Sequence, residues 1–178
     1  PCQPFRVLYF PTGRRGQLAR QGRALLEASP SIHLTVIMGR NVRGLYREAK
    51  PLKHDFPGRV KLVGWTKRVP SYLCAHHLVV GKAGGATVHE AIAARCPMLI
   101  HHLVPGQEEG NLRLLEAIGG GALAGTADEL RRRVADLLAD NASGWRGMKH
   151  ALETHGRNSG ALTAARFILN ETGAAPTP

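Results

Sequence analysis

The sequence predicts an α/β fold: a doubly wound, Rossmann-like parallel sheet of about six strands. Three observations carry this expectation. Short β-branched and apolar runs alternate with segments whose apolar residues recur at helical spacing, from Phe5 to the C-terminal region. The runs stop at turns marked by glycine or proline. The stretch from Leu78 to Asn111, LVVGKAGGATVHEAIAARCPMLIHHLVPGQEEGN, reads as strand, glycine turn, helix, strand and polar loop. In open parallel sheets ligands sit outside the carboxyl ends of strands, beside helix N-termini. This βαβ unit is therefore expected to supply half of a site for something anionic.

Taken in order, Phe5 to Phe10 is the first strand, stopped by Pro11-Thr12-Gly13. Leu18, Gly22, Leu25 and Leu26 mark a helix that Ser29-Pro30 breaks. His33 to Met38 is the second strand, ended by Gly39, and Val42 to Lys50 a short helix closed by Pro51. Val60 to Val63 is the third strand, leaving through Gly64-Trp65-Thr66, and Pro70 to Ala75 a helical turn. Leu78 to Val80 is the fourth strand, a helix starts near Thr87, and Met98 to Ile100 is the fifth strand. Leu112 to Ile118 is helical as far as Gly119-Gly120-Gly121, and Ala122-Leu123-Ala124 is a brief sixth strand. Thr126 and Glu129 have capping-box spacing ahead of a Leu130, Val134, Leu137, Leu138 stripe. A last amphipathic helix covers Ala161 to Asn170. These elements make one domain, residues 1–172, with 173–178 as a flexible tail.

A chain of 178 residues can bury a sizeable core. It opens at Pro1, without methionine, as a piece of a longer protein would. No apolar run approaches the ~20 residues of a membrane span, and no signal-peptide pattern opens the chain. Cys2, Cys74 and Cys96 match no zinc spacing and fit a reducing compartment. The 24 Lys and Arg against 13 Asp and Glu give a net charge of +11. Such a surplus is usually a solvated surface; nucleic acid, anionic lipid headgroups or a phosphorylated small ligand are its candidate partners. Aromatics make up 5% and do not interleave with basic stretches, which disfavours single-strand nucleic-acid platforms.

Several positions carry two readings. Gly84-Gly85 either let backbone N–H groups approach a diphosphate or simply form a tight turn. Thr87 and Glu90 have the spacing of a capping box. Trp65 is either a binding platform or an anchor covering the sheet edge. Gln107, Glu108 and Asn111 suit a hydroxyl array, or else a polar helix start. His76-His77 and His101-His102 are adjacent pairs that point to opposite faces of a strand, so no metal site is expected from them.

KAGGATVHEA followed by PGQEEGN resembles the donor-binding domain of GT-B glycosyltransferases. The branch is the one holding the lipid-II GlcNAc transferase and the diacylglycerol glycosyltransferases of monogalactosyldiacylglycerol-synthase type. Those enzymes carry Lys/Arg-small-Gly-x-x-Thr-x-x-Glu and then Pro-Gly-Gln-Glu-x-Gly-Asn. The order of strands and helices agrees from Phe5 onward, so the resemblance covers nearly the whole chain and implies one half of a GT-B fold. It places Lys82, Gly84, Gly85 and Thr87 in the UDP-sugar-binding motif and gives Glu90 to the ribose hydroxyls. It sets Trp65 and Thr66 against the uracil, and gives Gln107, Glu108 and Asn111 to the donor-sugar hydroxyls. Gly13 and Gly16 belong to a loop that nears phosphate or sugar from the opposite side; this sequence departs by placing Arg14 and Arg15 there.

The implied function is the donor half of a hexosyltransferase that moves a hexose from UDP to a lipid or lipid-linked acceptor such as diacylglycerol. The general base is expected in a separate N-terminal acceptor domain or partner chain, so no catalytic residue is assigned here. No metal and no cofactor besides the UDP-hexose substrate are expected, and no nucleic acid. A cytoplasmic setting, peripheral to the inner face of the membrane, follows from the resemblance. Membrane contact is expected to be weak or indirect, since no strongly amphipathic basic helix with aromatic anchors stands out. The competing readings are a naturally separate donor subunit of a two-chain GlcNAc transferase, a UDP-GlcNAc 2-epimerase on the same fold, and a non-enzymatic basic interaction module.

Overall fold

The computed structural model describes residues 3–13, 16–156 and 160–172. Each apolar run becomes a strand because it can bury both faces between helices, as parallel sheets require. The strands are β1 (Phe5–Tyr9), β2 (Ile32–Ile37), β3 (Val60–Val63), β4 (Leu78–Lys82), β5 (Met98–His102) and β6 (Gly121–Leu123). All pair in parallel, in the order β3-β2-β1-β4-β5-β6. The order reverses between β1 and β4, which is where an open sheet of this kind leaves a crevice at its carboxyl edge.

The helices are α1 (Gln17–Ala28), α2 (Val42–Asp55), α3 (Val69–Ala75), α4 (Gly85–Ala93), α5 (Glu109–Ile118), α6 (Ala127–His155) and α7 (Gly160–Thr172). Leu18, Leu25 and Leu26 of α1, Leu45 and Leu52 of α2, and Leu130 and Val134 of α6 share one core with Val7, Tyr9 and Val80. Leu73 of α3, Val88 and Ile92 of α4, and Leu115 of α5 share the other with Leu8, Val79 and Ile100. Helix α6 serves both faces. It starts with the expected capping box, Thr126 and Glu129 exchanging both bonds. It then breaks at Ala139–Ala142, where Asp140, Asn141 and Ala142 take positive φ. Beyond the break Trp145 donates to His77 O and Lys149 to Arg95 O, so the second limb passes under the amino ends of the strands. Leu152 then enters the second core.

The structure corrects three sequence expectations. Helix α2 does not close at Pro51 but runs on to Asp55. Proline deletes one helical bond, yet Leu52 is buried against the α1 side of the sheet and Phe56 N–H bonds Leu52 O, which holds the extra turn. Helix α4 starts at Gly85, not near Thr87. Helix α5 starts at Glu109, three residues before Leu112. Helix α7 forms where predicted, but none of its residues is buried. The proposed tail, 173–178, lies outside the described residues.

Three of the paired histidines make fold contacts, and His76 and His77 lie between α3 and β4 rather than on a strand. His76 bonds Tyr72 O through Nδ1 and Thr35 Oγ1 through Nε2. His77 Nδ1 accepts from Arg6 N–H, and His101 Nε2 donates to Phe10 O. No helix among the described residues is long and apolar enough to cross a membrane.

Candidate functional site

The chain leaves β4 at Lys82 and enters α4 within two residues. Gly84 is the N-cap and has no side chain to offer the first turn, so no side-chain hydrogen bond caps this helix. Val88 N–H bonds Gly84 O at 3.0 Å. The N–H groups of Gly85, Ala86 and Thr87 therefore precede the first helical bond and point out of the helix end. They carry the positive end of the helix dipole.

Neither Gly84 nor Gly85 has a positive φ, so the turn does not demand glycine. A Cβ at Gly85 would meet only Asn111 Nδ2, at 3.7 Å. At Gly84 it would touch Lys82 Cε at 3.3 Å, the flexible end of an exposed side chain. Contrast Gly121, where a Cβ would fall 2.3 Å from Met98 O. Packing requires glycine in β6 and does not require it at the head of α4. What the two glycines do is leave the helix terminus bare.

Beside that terminus lies an open hollow of about 330 Å³, lined by Lys82, Gly84, Gly85, Ala86, Thr87, Gln107, Glu108 and Asn111. Its far wall is the loop after β5, brought here because β4 and β5 are neighbours. Glu108 is 5% exposed. Its Oε1 accepts from Lys82 Nζ at 2.9 Å and its Oε2 from Val104 N–H at 3.1 Å. Burial pushes the Glu108 carboxyl up, but the Lys82 ammonium and the Val104 N–H together outweigh it and hold it below the ordinary carboxylate range. Asn111 Nδ2 donates to Ala83 O at 2.9 Å, tying α5 to the β4 exit.

Seven of the twelve residues singled out from sequence thus meet in one place: Lys82, Gly84, Gly85, Thr87, Gln107, Glu108 and Asn111. The other five do not line it, and Trp65 and Thr66 follow β3, three strands away from β4. Gly13 and Gly16 follow β1, the strand beside β4; Gly16, at φ 73°, heads α1 and donates its N–H to Glu48. Arg14 and Arg15 lie outside the described residues. Thr66 Oγ1 accepts from Arg68 N–H in the turn before α3. Trp65 is 54% exposed, with Lys67 Nζ 5.8 Å from its ring, so it is no anchor covering the sheet edge. Glu90 is exposed on α4, three residues beyond Thr87 and on the same stripe. The Thr87–Glu90 capping box is not formed, because helix α4 begins two residues earlier and Thr87 is its third residue.

Sequence reasoning named Lys82 and Glu108 separately and missed that they pair. The signal was available: a cation and a carboxylate at the exits of two strands that a βαβ unit makes neighbours. It also missed Ala86, whose contribution is a backbone N–H.

The six-stranded sheet with helices on both faces is one half of the GT-B fold. It superposes on the Anabaena HepE protein, solved in complex with UDP and glucose, with a TM-score of 0.70 at 19% identity, covering 97% of this chain and 49% of that one. In sequence the chain is similar to the processive diacylglycerol β-glucosyltransferase of Staphylococcus carnosus, 32% identical over 116 residues, or 65% of this chain and 29% of that enzyme. It is also similar to the chloroplastic monogalactosyldiacylglycerol synthase 3 of Arabidopsis thaliana, 29% identical over 115 residues, or 65% of this chain and 24% of that enzyme. The chain therefore spans less than a third of the length of these curated relatives. No protein-family model matches it.

Proposed function

We propose that this chain is the donor-binding half of a UDP-sugar-dependent glycosyltransferase that moves a hexose from UDP to a lipid or lipid-linked acceptor such as diacylglycerol. The observation that carries the proposal is the uncapped N-terminus of α4, kept bare by two glycines that packing does not need, with Lys82 beside it. That is a ready anion site. In this reading the N–H groups of Gly85, Ala86 and Thr87 receive the diphosphate. Together with Lys82, and without a metal, they stabilise its charge as the sugar departs.

Glu90 takes the ribose diol, since a carboxylate accepts from two hydroxyls at once. Trp65 and the backbone at Thr66 take the uracil. Gln107, Glu108 and Asn111 hold sugar hydroxyls; Glu108 has two lone-pair sites left after Lys82 and Val104, and the Asn111 amide keeps its carbonyl acceptor. The loop with Gly13 and Gly16 closes the site from the β1 side. The general base and the acceptor pocket belong to an N-terminal domain or partner chain, at the cytoplasmic face of a membrane. The chain alone binds UDP without transferring sugar.

Calorimetry tests this directly. UDP is expected to bind more tightly than ADP, GDP or UMP, because base, ribose and phosphates are read by different residues. Equal affinity for UDP and ADP would remove uridine from the reading. The glycosyltransferase names of the sequence relatives favour transfer over 2-epimerisation, which the fold alone does not separate.

A further inference from the structure

We infer that the outward face of α2 is a docking surface for an anionic lipid bilayer. The chain's charge is not spread evenly. Residues 38–75 hold nine Lys and Arg against two acids, +7 of the total +11, whereas residues 76–178 hold ten of each sign. Helix α2 organises much of that surplus. Leu45, Ala49 and Leu52 define its inner side. Arg43, Arg47, Lys50 and His54, spaced i, i+4, i+7 and i+11, lie on the opposite side in one stripe and are exposed.

The two acids of α2 lie on another flank and touch only the last member of this stripe, His54, leaving Arg43, Arg47 and Lys50 without a carboxylate partner among the described residues. Glu48 accepts from Gly16 N–H at 2.8 Å, and Asp55 pairs with Arg23 and His54. Among the described residues, none of Arg40, Arg43, Arg47, Lys50 and Lys53 has a carboxylate within 4.0 Å, while Arg23, Lys82, Arg113, Arg131 and Lys149 each do. Cations elsewhere, Arg132, Arg133 and Arg166 among them, also lack such a partner, but residues 76–178 carry as many acids as bases. The α2 stripe lies in a segment of net +7 and creates a field of one sign.

An apolar edge runs beside the stripe. Val42 and Tyr46 are 37% and 46% exposed on the flank nearest the β3 exit, where Val42 Cγ2 approaches Gly64. Cations to meet lipid phosphates, next to a tyrosine that favours the bilayer interface, fit a lipid surface. A single-stranded nucleic acid would want several aromatic faces interleaved with the cations, and α2 presents one, Tyr46. The inference goes beyond the weak or indirect contact expected from sequence, where the helix was closed at Pro51 and lost its last basic turn. It uses no residue of the donor site and stands or falls separately from it.

Vesicle flotation tests the surface on the full chain. It is expected to float with phosphatidylglycerol–phosphatidylcholine vesicles at low salt and to stay behind with phosphatidylcholine alone. Arg43→Glu/Arg47→Glu/Lys50→Glu should cut partitioning at least tenfold, or on the order of 1.4 kcal/mol, with melting temperature and UDP affinity unchanged. The same charge change placed elsewhere, Arg132→Glu/Arg133→Glu/Arg166→Glu, should keep vesicle binding. If the charge-reversed helix melts early, the neutral version R43Q/R47Q/K50Q carries the comparison. Tyr46→Ser should weaken vesicle binding while leaving heparin binding as it was. The proposal is overturned by equal flotation on neutral vesicles, by no flotation at all, by equal losses in the two triple variants, or by a Tyr46→Ser chain that binds vesicles like the parent.

Discussion

Lys82 Nζ and Glu108 Oε1 are 2.9 Å apart although 26 residues separate them, and the same carboxylate also holds Val104 N–H. One buried acid thus ties the exit of β4 to the loop after β5. Glu108→Ala leaves the half-buried Val104 N–H without its acceptor and is expected to cost about 1 kcal/mol, the low end of the penalty for an unsatisfied buried group. Glu108→Gln keeps one acceptor for two donors and should cost less. Urea or thermal unfolding reads both; an alanine variant as stable as the parent would mean the pair does not hold the loop.

Acid should weaken the fold through histidines rather than through Glu108. Burial, then the charge of Arg6, pushes the His77 pKa from 6.5 down to about 4. His76 and His101 are lowered in the same direction, again chiefly by burial. Between pH 6.5 and 4 the unfolded chain takes up a proton that folded His77 refuses. Its contribution is therefore full above pH 6.5 and is lost as pH falls to about 4. Glu108, held below its ordinary value, keeps its contribution above the ordinary carboxylate pKa of 4.5 and loses it as pH falls below that. Melting temperature should drop from pH 7 to pH 5, and His77→Asn should flatten the slope. Imidazole resonances give an independent check: a His77 signal titrating near 6.5 sinks the assignment.

The fold was legible because each strand is built on an apolar run in which polar residues such as Arg6, His33 and Lys61 stand singly, and the crossover rules then order the sheet. What escaped notice has local causes. Two glycines in a row look like loop, so α4 was started at Thr87, and a capping box that fits Thr87 and Glu90 on paper has no helix end to cap. Pro51 looks like a stop because its cost is local, whereas the gain from burying Leu52 is tertiary. The break in α6 is invisible in Asp140-Asn141-Ala142, since it exists to carry the chain from one face of the sheet to the other. Of the site, the motif residues were readable and their pairing was not, because pairing depends on strand adjacency.

Glu90 and Thr87 can now be separated. Thr87 caps nothing, so Thr87→Ala should leave stability within about 0.5 kcal/mol, the range of ordinary surface changes. Glu90 is exposed, and Glu90→Gln should melt like the parent. Hydrogen bonds to a charged acceptor are worth ~1.5–3 kcal/mol against ~0.5–1.5 for neutral ones. Glu90→Gln should therefore weaken UDP by roughly tenfold, equivalent to ~1.4 kcal/mol. A Gln variant that binds UDP like the parent takes Glu90 out of the ribose contact.

The sharpest comparison is between two glycines. Gly121 has no room: a Cβ there would stand 2.3 Å from Met98 O and 2.4 Å from Leu115 Cδ2, so Gly121→Ala must push β6 off β5. Its cost should be at least ~1–3 kcal/mol, as for other overpacked sites. Gly85 is the opposite case. It is the first residue of α4, has no positive φ, and its absent methyl would meet only Asn111 Nδ2 at ordinary contact distance. Alanine is the better helix former by ~1 kcal/mol in helix interiors, so Gly85→Ala should keep or slightly raise the melting temperature. The added methyl instead stands where a diphosphate would approach the N–H groups of the first turn. UDP affinity should fall at least tenfold while uridine, which lacks the phosphates, competes as weakly as before. If Gly85→Ala is both stable and fully competent to bind UDP, the phosphates do not sit on the α4 terminus, and Gly84-Gly85 is only a turn.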